Sequence, residues 1–399
     1  MNADLAELAD PAVLSRLLAQ RSSAVQRGRV VVTFVCGTRI ATASWGDAPA
    51  AARSPLGCLA KLFTATLVRR AAERGWLALD GEVAPLLGGN LEALHGVTVR
   101  HLLEHTHGLD DSLLAAPRYE RGFIDRGELL PRVAALERFA GPGAVYSYGH
   151  LGAWLAASAL EQVHGRPFGA LVRDGLLEPL AIDGVGYEAG AARLCAATGA
   201  GLALTAEELA RFGLQVLTQG PSLAAEPIMP LPGWHPLERG VCVGWKYAGA
   251  GWFGHQSAWP GASSYLRVQP ERGLALAVIA SAQAASLIAV GMFGVHLAEL
   301  FESQVRRPSE GSASDVSGAY EQAARVIAIE ATRSGLHAEA WERDEHGARR
   351  GEPARAVLVP ARGVLFARPA REHLPFVEPV PGGNGARWLW NGRCVLRSA

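Results

Sequence analysis

The stretch Ser54-Pro-Leu-Gly-Cys-Leu-Ala-Lys-Leu-Phe-Thr-Ala-Thr66 decides how the rest of the chain is read. Ser54-Pro55 is a helix-opening pair, and the run that follows (CLAKLFTATLVRRAAERG) predicts a helix to about Arg74, closed by Gly75. Cys58 and Lys61 are three residues apart, so a helix brings them onto one face, one turn from each other. Near a helix start, unpaired backbone N–H groups and the dipole stabilise an anion and lower a thiol's pKa. A charged Lys61 would stabilise a Cys58 thiolate, and a neutral one would accept its proton. The same spacing also fits a small buried cysteine next to an exposed lysine. Composition adds a second argument. Of 38 basic residues only Lys61 and Lys246 are lysine and the other 36 are arginine. Where arginine fills every site that merely wants positive charge, a lysine marks a place that needs a group able to lose its proton near neutral pH. Lys246, in Gly-Trp-Lys-Tyr, reads as an ordinary strand-edge residue, which leaves Lys61 as the one tied to chemistry.

Outward from this stretch, Arg29–Cys36 and Thr38–Trp45 are β-rich runs joined at Gly37, a hairpin pattern. Asn90–Pro142 reads as short helices and loops. Leu151–Val163 reads as a longer helix ending at His164-Gly165, and Thr205 as the N-cap of a helix to about Leu217. Trp252–Ala280 alternates as strands do, and Leu287–Glu302 returns to a helical pattern. Strands at both ends with helical material between them predict an α+β domain whose sheet joins sequence-distant strands. The expected division is an N-terminal helical extension (1–24), a main domain (25–303), a linker (304–316) rich in Ser, Arg, Gly and Pro, and a small β-rich C-terminal domain (317–399).

Several elements in order resemble the serine β-lactamase and penicillin-binding-protein superfamily, most of all its class C β-lactamases, family VIII esterases and D-aminopeptidases. Ser54–Thr66 resembles the S-x-x-K helix, with Cys58 in the serine position. Trp76–Asp80 resembles the segment after that helix, and Val97–Leu109 (VTVRHLLEHTHGL) the loop before the helical insertion, with His107 where serine is usual. Pro142–His150 resembles the Y-x-N element with Tyr148 aligned and His150 in place of asparagine; Leu204–Gly220 resembles T-x-x-D-L-A-R-F. Gly254-His-Gln-Ser257 resembles the H-x-G or K-T-G element with Ser257 in place of glycine, and Pro260–Ser264 and Arg267–Pro270 continue it. The resemblance covers residues 25 to 300. It implies a β-lactamase-like fold, an antiparallel sheet flanked by helices with a helical insertion, and a C-terminal β-domain of the kind many of these families carry.

The resemblance also implies roles. Cys58 would attack an acyl carbonyl, Lys61 would assist its deprotonation, and Tyr148 would shuttle a proton between leaving group and incoming nucleophile. The backbone N–H groups of Cys58 and Ala258 would hold the oxyanion. His150 would either face Cys58 as a Cys–His pair or serve as a hydrogen-bonded structural histidine. His255 would hold a substrate carboxylate, phosphate or carbonyl, and Ser257 would narrow the pocket. Trp234, Trp245, Trp252 and Trp259 cluster around this element, which favours an apolar acyl pocket with Trp252 and Trp259 among its walls. The departures from the family pattern fit either a decayed enzyme kept for binding or a retuned acyl-transfer site. Cysteine keeps nucleophilicity, and Lys61 and Tyr148 both remain, which favours the second.

His101, His105 and His107 form an H-x-x-x-H-x-H cluster without a nearby cysteine or fourth ligand, so no metal is expected. No G-x-S-x-G elbow or dinucleotide fingerprint occurs, and no cofactor is expected. Basic and acidic residues balance at 38 each, which argues against a nucleic-acid partner. No apolar run is long enough for a membrane span, and Asp4, Glu7 and Asp10 make Met1–Gln20 an amphipathic helix rather than a signal peptide. Five scattered cysteines with no C-x-x-C pair argue for free thiols, and a cytoplasmic protein is expected. A thiol nucleophile exchanges acyl groups with thioesters at little free-energy cost. The expected function is therefore an acyltransferase or chain-releasing enzyme of secondary metabolism. It would draw a small-molecule acyl substrate from coenzyme A or an acyl or peptidyl carrier protein through a Cys58 acyl-thioester. A thioesterase, carboxylesterase or amidase on the same scaffold, and a non-catalytic binding protein, are the alternatives.

Overall fold

The computed structural model describes residues 5–22, 28–47, 49–88, 91–111, 126–182, 197, 201–220, 222–231, 238–259 and 262–281, together with eight strands between 318 and 397 and residue 348. Its first ten strands are β1 (Val30–Cys36), β2 (Arg39–Trp45), β3 (Ser54–Pro55), β4 (Ala203–Leu204), β5 (Met229–Pro230), β6 (Gly240–Cys242), β7 (Trp245–Gly249), β8 (Trp252–Trp259), β9 (Ala262–Gln269) and β10 (Leu274–Ala280). The helices are α1 (Pro11–Ser22), α2 (Ala60–Glu73), α3 (Val99–Leu103), α4 (Arg126–Ala134), α5 (Leu151–His164), α6 (Phe168–Val172) and α7 (Ala206–Thr218).

The β1–β2 hairpin forms as its sequence predicts, in register from Val30↔Trp45 to Cys36↔Arg39. Along the other edge of β1 runs β10, antiparallel, so the two ends of the region lie side by side in one eight-stranded sheet of order β2-β1-β10-β9-β8-β7-β6-β5. Helices cover both faces of its centre, and for this reason β1 and β10 are buried along nearly their whole length. Strand alternation divides their side chains. Val31, Val35, Ala275, Ala277 and Ile279 join the core that includes α2 and α7, where Phe63 stacks on Phe212 with ring centroids 3.7 Å apart. Val30, Val32, Phe34, Leu274, Leu276 and Val278 pack on Leu14 and Leu18 of α1. Each such side chain, fully buried, contributes about 1.5–3 kcal/mol.

The start of the decisive helix differs from its expectation. Ser54 and Pro55 do not open it; they form β3, paired with β4 through Ser54↔Leu204 and Pro55↔Ala203. Pro55 pushes the preceding residue into extended backbone, and the Leu56 N–H then donates to the Leu202 carbonyl at 2.9 Å. The chain next makes a 3₁₀ turn over Gly57–Leu59 and enters α2 only at Ala60. Cys58 therefore sits in a tight turn ahead of the helix. The Thr205 cap is as read: its hydroxyl accepts from the Glu208 N–H while Glu208 accepts from the Thr205 N–H. Glu208 also pairs with Arg53 at 2.6 Å, which ties α7 to the segment leading into β3.

Strands β11 (Gly318–Gln322), β12 (Arg325–Thr332), β13 (Gly335–Arg343), β14 (Arg349–Ala361), β15 (Val364–Arg371), β16 (Leu374–Pro381), β17 (Ala386–Trp390) and β18 (Cys394–Arg397) form a second, closed antiparallel barrel. Its seam is the pairing of β11 with β18, which leaves no sheet edge exposed. The helix expected over Leu287–Glu302 and the linker 304–316 lie outside the described residues. Among the described residues no helix is long and apolar enough to cross a membrane.

Helix α5 lies so close to α3 that a Cβ on Gly152 would stand 2.2 Å from the Leu102 carbonyl oxygen. Gly152→Ala must push the two helices apart, and we expect a loss of about 1–3 kcal/mol in urea unfolding. An unchanged unfolding midpoint would contradict this packing.

Candidate active site

Cys58 is partly exposed, whereas Lys61, in the first turn of α2, is almost fully buried. Burial, the largest single influence, pushes the Cys58 thiol up, but the Lys61 ammonium, the Tyr148 hydroxyl and the more distant Lys246 charge together outweigh it. The net effect holds the thiol below its ordinary value. Lys61 Nζ stands 4.8 Å from the centre of the Tyr148 ring and 3.2 Å from His150 Nδ1, to which the ammonium donates. Cys58, Lys61, Tyr148 and His150 are thus brought together, with His150 hydrogen-bonded to Lys61. The His150 ring also stacks on Trp154 one turn into α5.

The loop carrying Tyr148 and His150 is fixed from below by groups the sequence alone did not single out. Buried Asp111 accepts the N–H groups of both His150 and Leu151 at 3.1 Å, capping α5. Gly149 is required where this happens, since a Cβ there would lie 2.1 Å from Asp111 Oδ2. His105 accepts the Gly149 N–H at Nδ1, and its carbonyl accepts the Ser147 N–H at 2.8 Å. The other histidines of the H-x-x-x-H-x-H cluster do similar work. His101 Nδ1 accepts from Thr98 in the capping box of α3, and His107 Nδ1 accepts from Leu109. All three rings are occupied in holding backbone.

Lys246 is not a strand-edge residue. It is buried, with Nζ 2.9 Å from Glu238 and 2.7 Å from the Tyr146 hydroxyl, and it lies 5.2 Å from the centre of the Tyr148 ring. Burial pushes its ammonium down, and Glu238 and Tyr146 together more than compensate, so it stays above its ordinary value. Glu238 also pairs with Arg267 at 3.3 Å, making a buried charged triad beside the site. The scarcity of lysine that marked Lys61 marks Lys246 equally, and is the signal that could have found it.

On β8, Phe253, His255 and Ser257 share one side of the strand and Trp252 takes the other. Trp252 packs with Tyr265, Ala248 and Leu274 in the core that contains α1, so it is not a wall of the pocket. Trp245 is likewise core, against Phe212, while Trp234 and the side chain of Trp259 lie outside what is described. His255 is buried, and burial together with the Lys246 charge pushes it down to about 3. Held neutral, the ring offers an N–H donor but no charge, and of the three groups expected for His255 a carbonyl is the one that needs no charge. Its Nδ1 is held by the Gln256 backbone, and its ring lies 5.8 Å from that of Tyr148.

The expected oxyanion site shows one further departure. The Cys58 N–H is not open: it donates to Ser257 Oγ at 3.0 Å. Ala258, whose N–H was expected as the second donor, follows Ser257 in β8, opposite Ser263.

Residues 14–288 match the Beta-lactamase family. The chain is 25% identical over 331 residues to Penicillin-binding protein 4 of Amycolatopsis lactamdurans, covering 67% of this chain and 84% of that one. A crystal structure of SurE with D-Leu superposes with a TM-score of 0.72 at 22% identity, covering 97% of this chain and 99% of that one. This likeness therefore spans the main domain and the C-terminal barrel. A D-stereospecific amidohydrolase from Streptomyces sp. superposes with a TM-score of 0.57 at 21% identity, over 72% of this chain and 98% of that one.

The depressed His255 gives a stability signature. An unfolded histidine takes up a proton near 6.5, whereas folded His255 refuses one until about 3. Stability is therefore lost as pH falls through that window. His105, pushed well below its ordinary value by burial, acts in the same direction. Glu104, which burial raises to about 7, acts oppositely and loses stability as pH rises from 4.5 toward 7. His255→Gln isolates one contribution: the drop in urea midpoint between pH 7 and pH 5 should be smaller in the variant than in the wild type. An equal drop would contradict a neutral, buried His255.

Proposed function

The chain belongs to the Beta-lactamase family, and from that premise we propose that it is an acyl-transfer enzyme in which Cys58 takes an acyl group from a thioester donor and passes it to an amine or to water. The observation that carries this is the Cys58 thiol held below its ordinary value by the Lys61 ammonium and the Tyr148 hydroxyl. In its thiolate form, which this lowering favours, the sulfur needs no base at the moment of attack. Its sulfur forms the bond to the carbonyl carbon, the oxyanion collapses, and the donor's sulfur leaves as a thiolate. Lys61, through Tyr148, supplies the proton that neutralises this leaving group. Neutral Lys61 then takes a proton from the incoming amine or water as it attacks the Cys58 acyl-thioester, and Cys58 departs again as thiolate. The ammonium and the thiolate are both restored, so protons balance over the cycle.

An oxygen or nitrogen leaving group is far more basic than a thiolate and needs its proton earlier, so a thioester is the donor this site suits best. Coenzyme A or a carrier protein would supply it. The acyl residue next to the thioester is proposed to be D-configured, which is supported by two fold neighbours of this chain, SurE solved with D-Leu and the D-stereospecific amidohydrolase. His255, neutral and close to Tyr148, would meet a carbonyl of the acyl chain rather than a charged terminus. Acyl thioesters react more readily with amines than with water, which favours transfer; the family's hydrolases favour water.

Intact-protein mass spectrometry tests this with D- and L-aminoacyl thioesters, a matching ester and a β-lactam, each with and without added amine. The wild type should gain the acyl mass from thioesters, faster for the D form, and Cys58→Ala should gain none. Amine-dependent release marks a transferase and release without amine a hydrolase. Equal labelling of Cys58→Ala, or no labelling of the wild type, would overturn the proposal.

A further inference from the structure

Ser257 stands where the resembled families carry glycine, and its hydroxyl has taken the partner expected to wait for substrate. Oγ accepts the Cys58 N–H at 3.0 Å. A backbone N–H supports one strong hydrogen bond, so a carbonyl oxygen arriving at this place meets the hydroxyl before it meets the amide. The side chain is 7% exposed, and among the described residues its own O–H has no acceptor. Its cross-strand neighbour Ser264 does not take that proton: Ser264 Oγ is buried without a partner. A buried hydroxyl beside a nucleophile, fixed as an acceptor and unused as a donor, leaves one unmet hydrogen-bond demand, and the acyl group is what comes to that position.

We propose that the Ser257 hydroxyl is itself an oxyanion donor. Cys58 N–H donates to Ser257 Oγ, and Ser257 O–H donates to the carbonyl oxygen of the bound acyl group. This assignment rests on the acyl-transfer function proposed above and adds a catalytic residue to it. As the Cys58 sulfur bonds to the carbonyl carbon, the π pair moves onto the oxygen, and the hydroxyl stabilises that charge without giving up its proton. When the C–S bond to the donor breaks, the pair returns to the carbonyl. The amide behind the hydroxyl polarises it, so the two bonds in series strengthen each other. Strand β8 holds the serine through its pairing with β9, and a hydroxyl needs only to turn about its C–O bond to aim the hydrogen.

The test compares two reactions of one cysteine. Acylation by a D-aminoacyl N-acetylcysteamine thioester passes through an oxyanion; alkylation by iodoacetamide does not. Single-turnover rates of both are measured in the full chain for the wild type, Ser257→Ala, Ser257→Gly and Ser257→Thr. Ser257→Ala and Ser257→Gly should acylate about 10²–10³-fold more slowly, the cost of one lost oxyanion donor. Their alkylation should stay within about twofold of the wild type, because that reaction makes no demand on an oxyanion donor. Ser257→Thr, which keeps the hydroxyl, should recover most of the acylation rate. Equal or faster acylation in Ser257→Ala or Ser257→Gly would show that the side chain only fills the hole, and would overturn the assignment alone. Parallel loss of acylation and alkylation would make Ser257 a support for Cys58 and would also overturn it. A wild type that is alkylated but never acylated would overturn the acyl-transfer function, and this assignment with it.

Discussion

The charge on Lys61, held against the Cys58 thiol at the mouth of α2, is the interaction on which the rest of the site depends. Burial alone would make this cysteine a poor nucleophile, since a thiolate loses its hydration on leaving water. The ammonium, together with the hydroxyl of Tyr148 and the Lys246 charge, reverses that outcome. The first two effects fall off within a few ångströms, so the fold must fix α2 and the loop before α5 against each other. The stacking of Phe63 on Phe212 locks α2 to α7, and Gly152 lets α5 close on α3. What the two-layer core provides to the chemistry is this rigid meeting of a helix start with a capped loop.

Around that meeting point polar groups are buried in numbers that need explanation, because each would be costly alone. Asp111 is matched by two N–H groups, Glu238 by Lys246 and Arg267, and His105 by the backbone of the Tyr148 loop. The Lys246–Glu238–Arg267 triad shares its charges internally and presents Lys246 to the rings of Tyr146 and Tyr148. Its Lys246 charge lowers Cys58 slightly and His255 more directly. One lysine thus adds to the lowering of both a thiol and a neighbouring imidazole. The same positive charge favours loss of the proton from both groups, which leaves the thiol charged and the imidazole neutral.

Much of this was legible in the sequence, and the parts that were not share a cause. The β1–β2 hairpin, the Leu151 helix and the Thr205 cap are local: a turn residue, a period or a capping box fixes each within a dozen positions. Ser54-Pro55 misled because the pair is equally suited to extended backbone, and the partner that made it a strand, β4, lies far away in sequence. Trp252 was assigned to the pocket because clustering in sequence ignores strand alternation, which sends it to the opposite core from His255. Asp111, Glu238 and Arg267 carry no local signature at all; their roles arise from which groups the tertiary fold leaves without water. Ser257 was visible as an intruding side chain, but that its oxygen would take the Cys58 N–H follows only from the approach of β8 to the turn at Gly57–Leu59.

The closed barrel formed by β11 to β18 extends the likeness to SurE across nearly the whole chain, whereas the amidohydrolase likeness covers 72% of it. The chemistry nevertheless rests on the pair at the start of α2. Its most direct test is the ultraviolet titration of the Cys58 thiolate, taken as the difference between wild type and Cys58→Ser, and repeated in a Lys61→Met background. The account predicts a wild-type midpoint below the usual thiol value of about 8.5, moving above it when Lys61 is replaced and burial acts unopposed. A wild-type midpoint at or above the usual value, or one that Lys61→Met leaves in place, would contradict it.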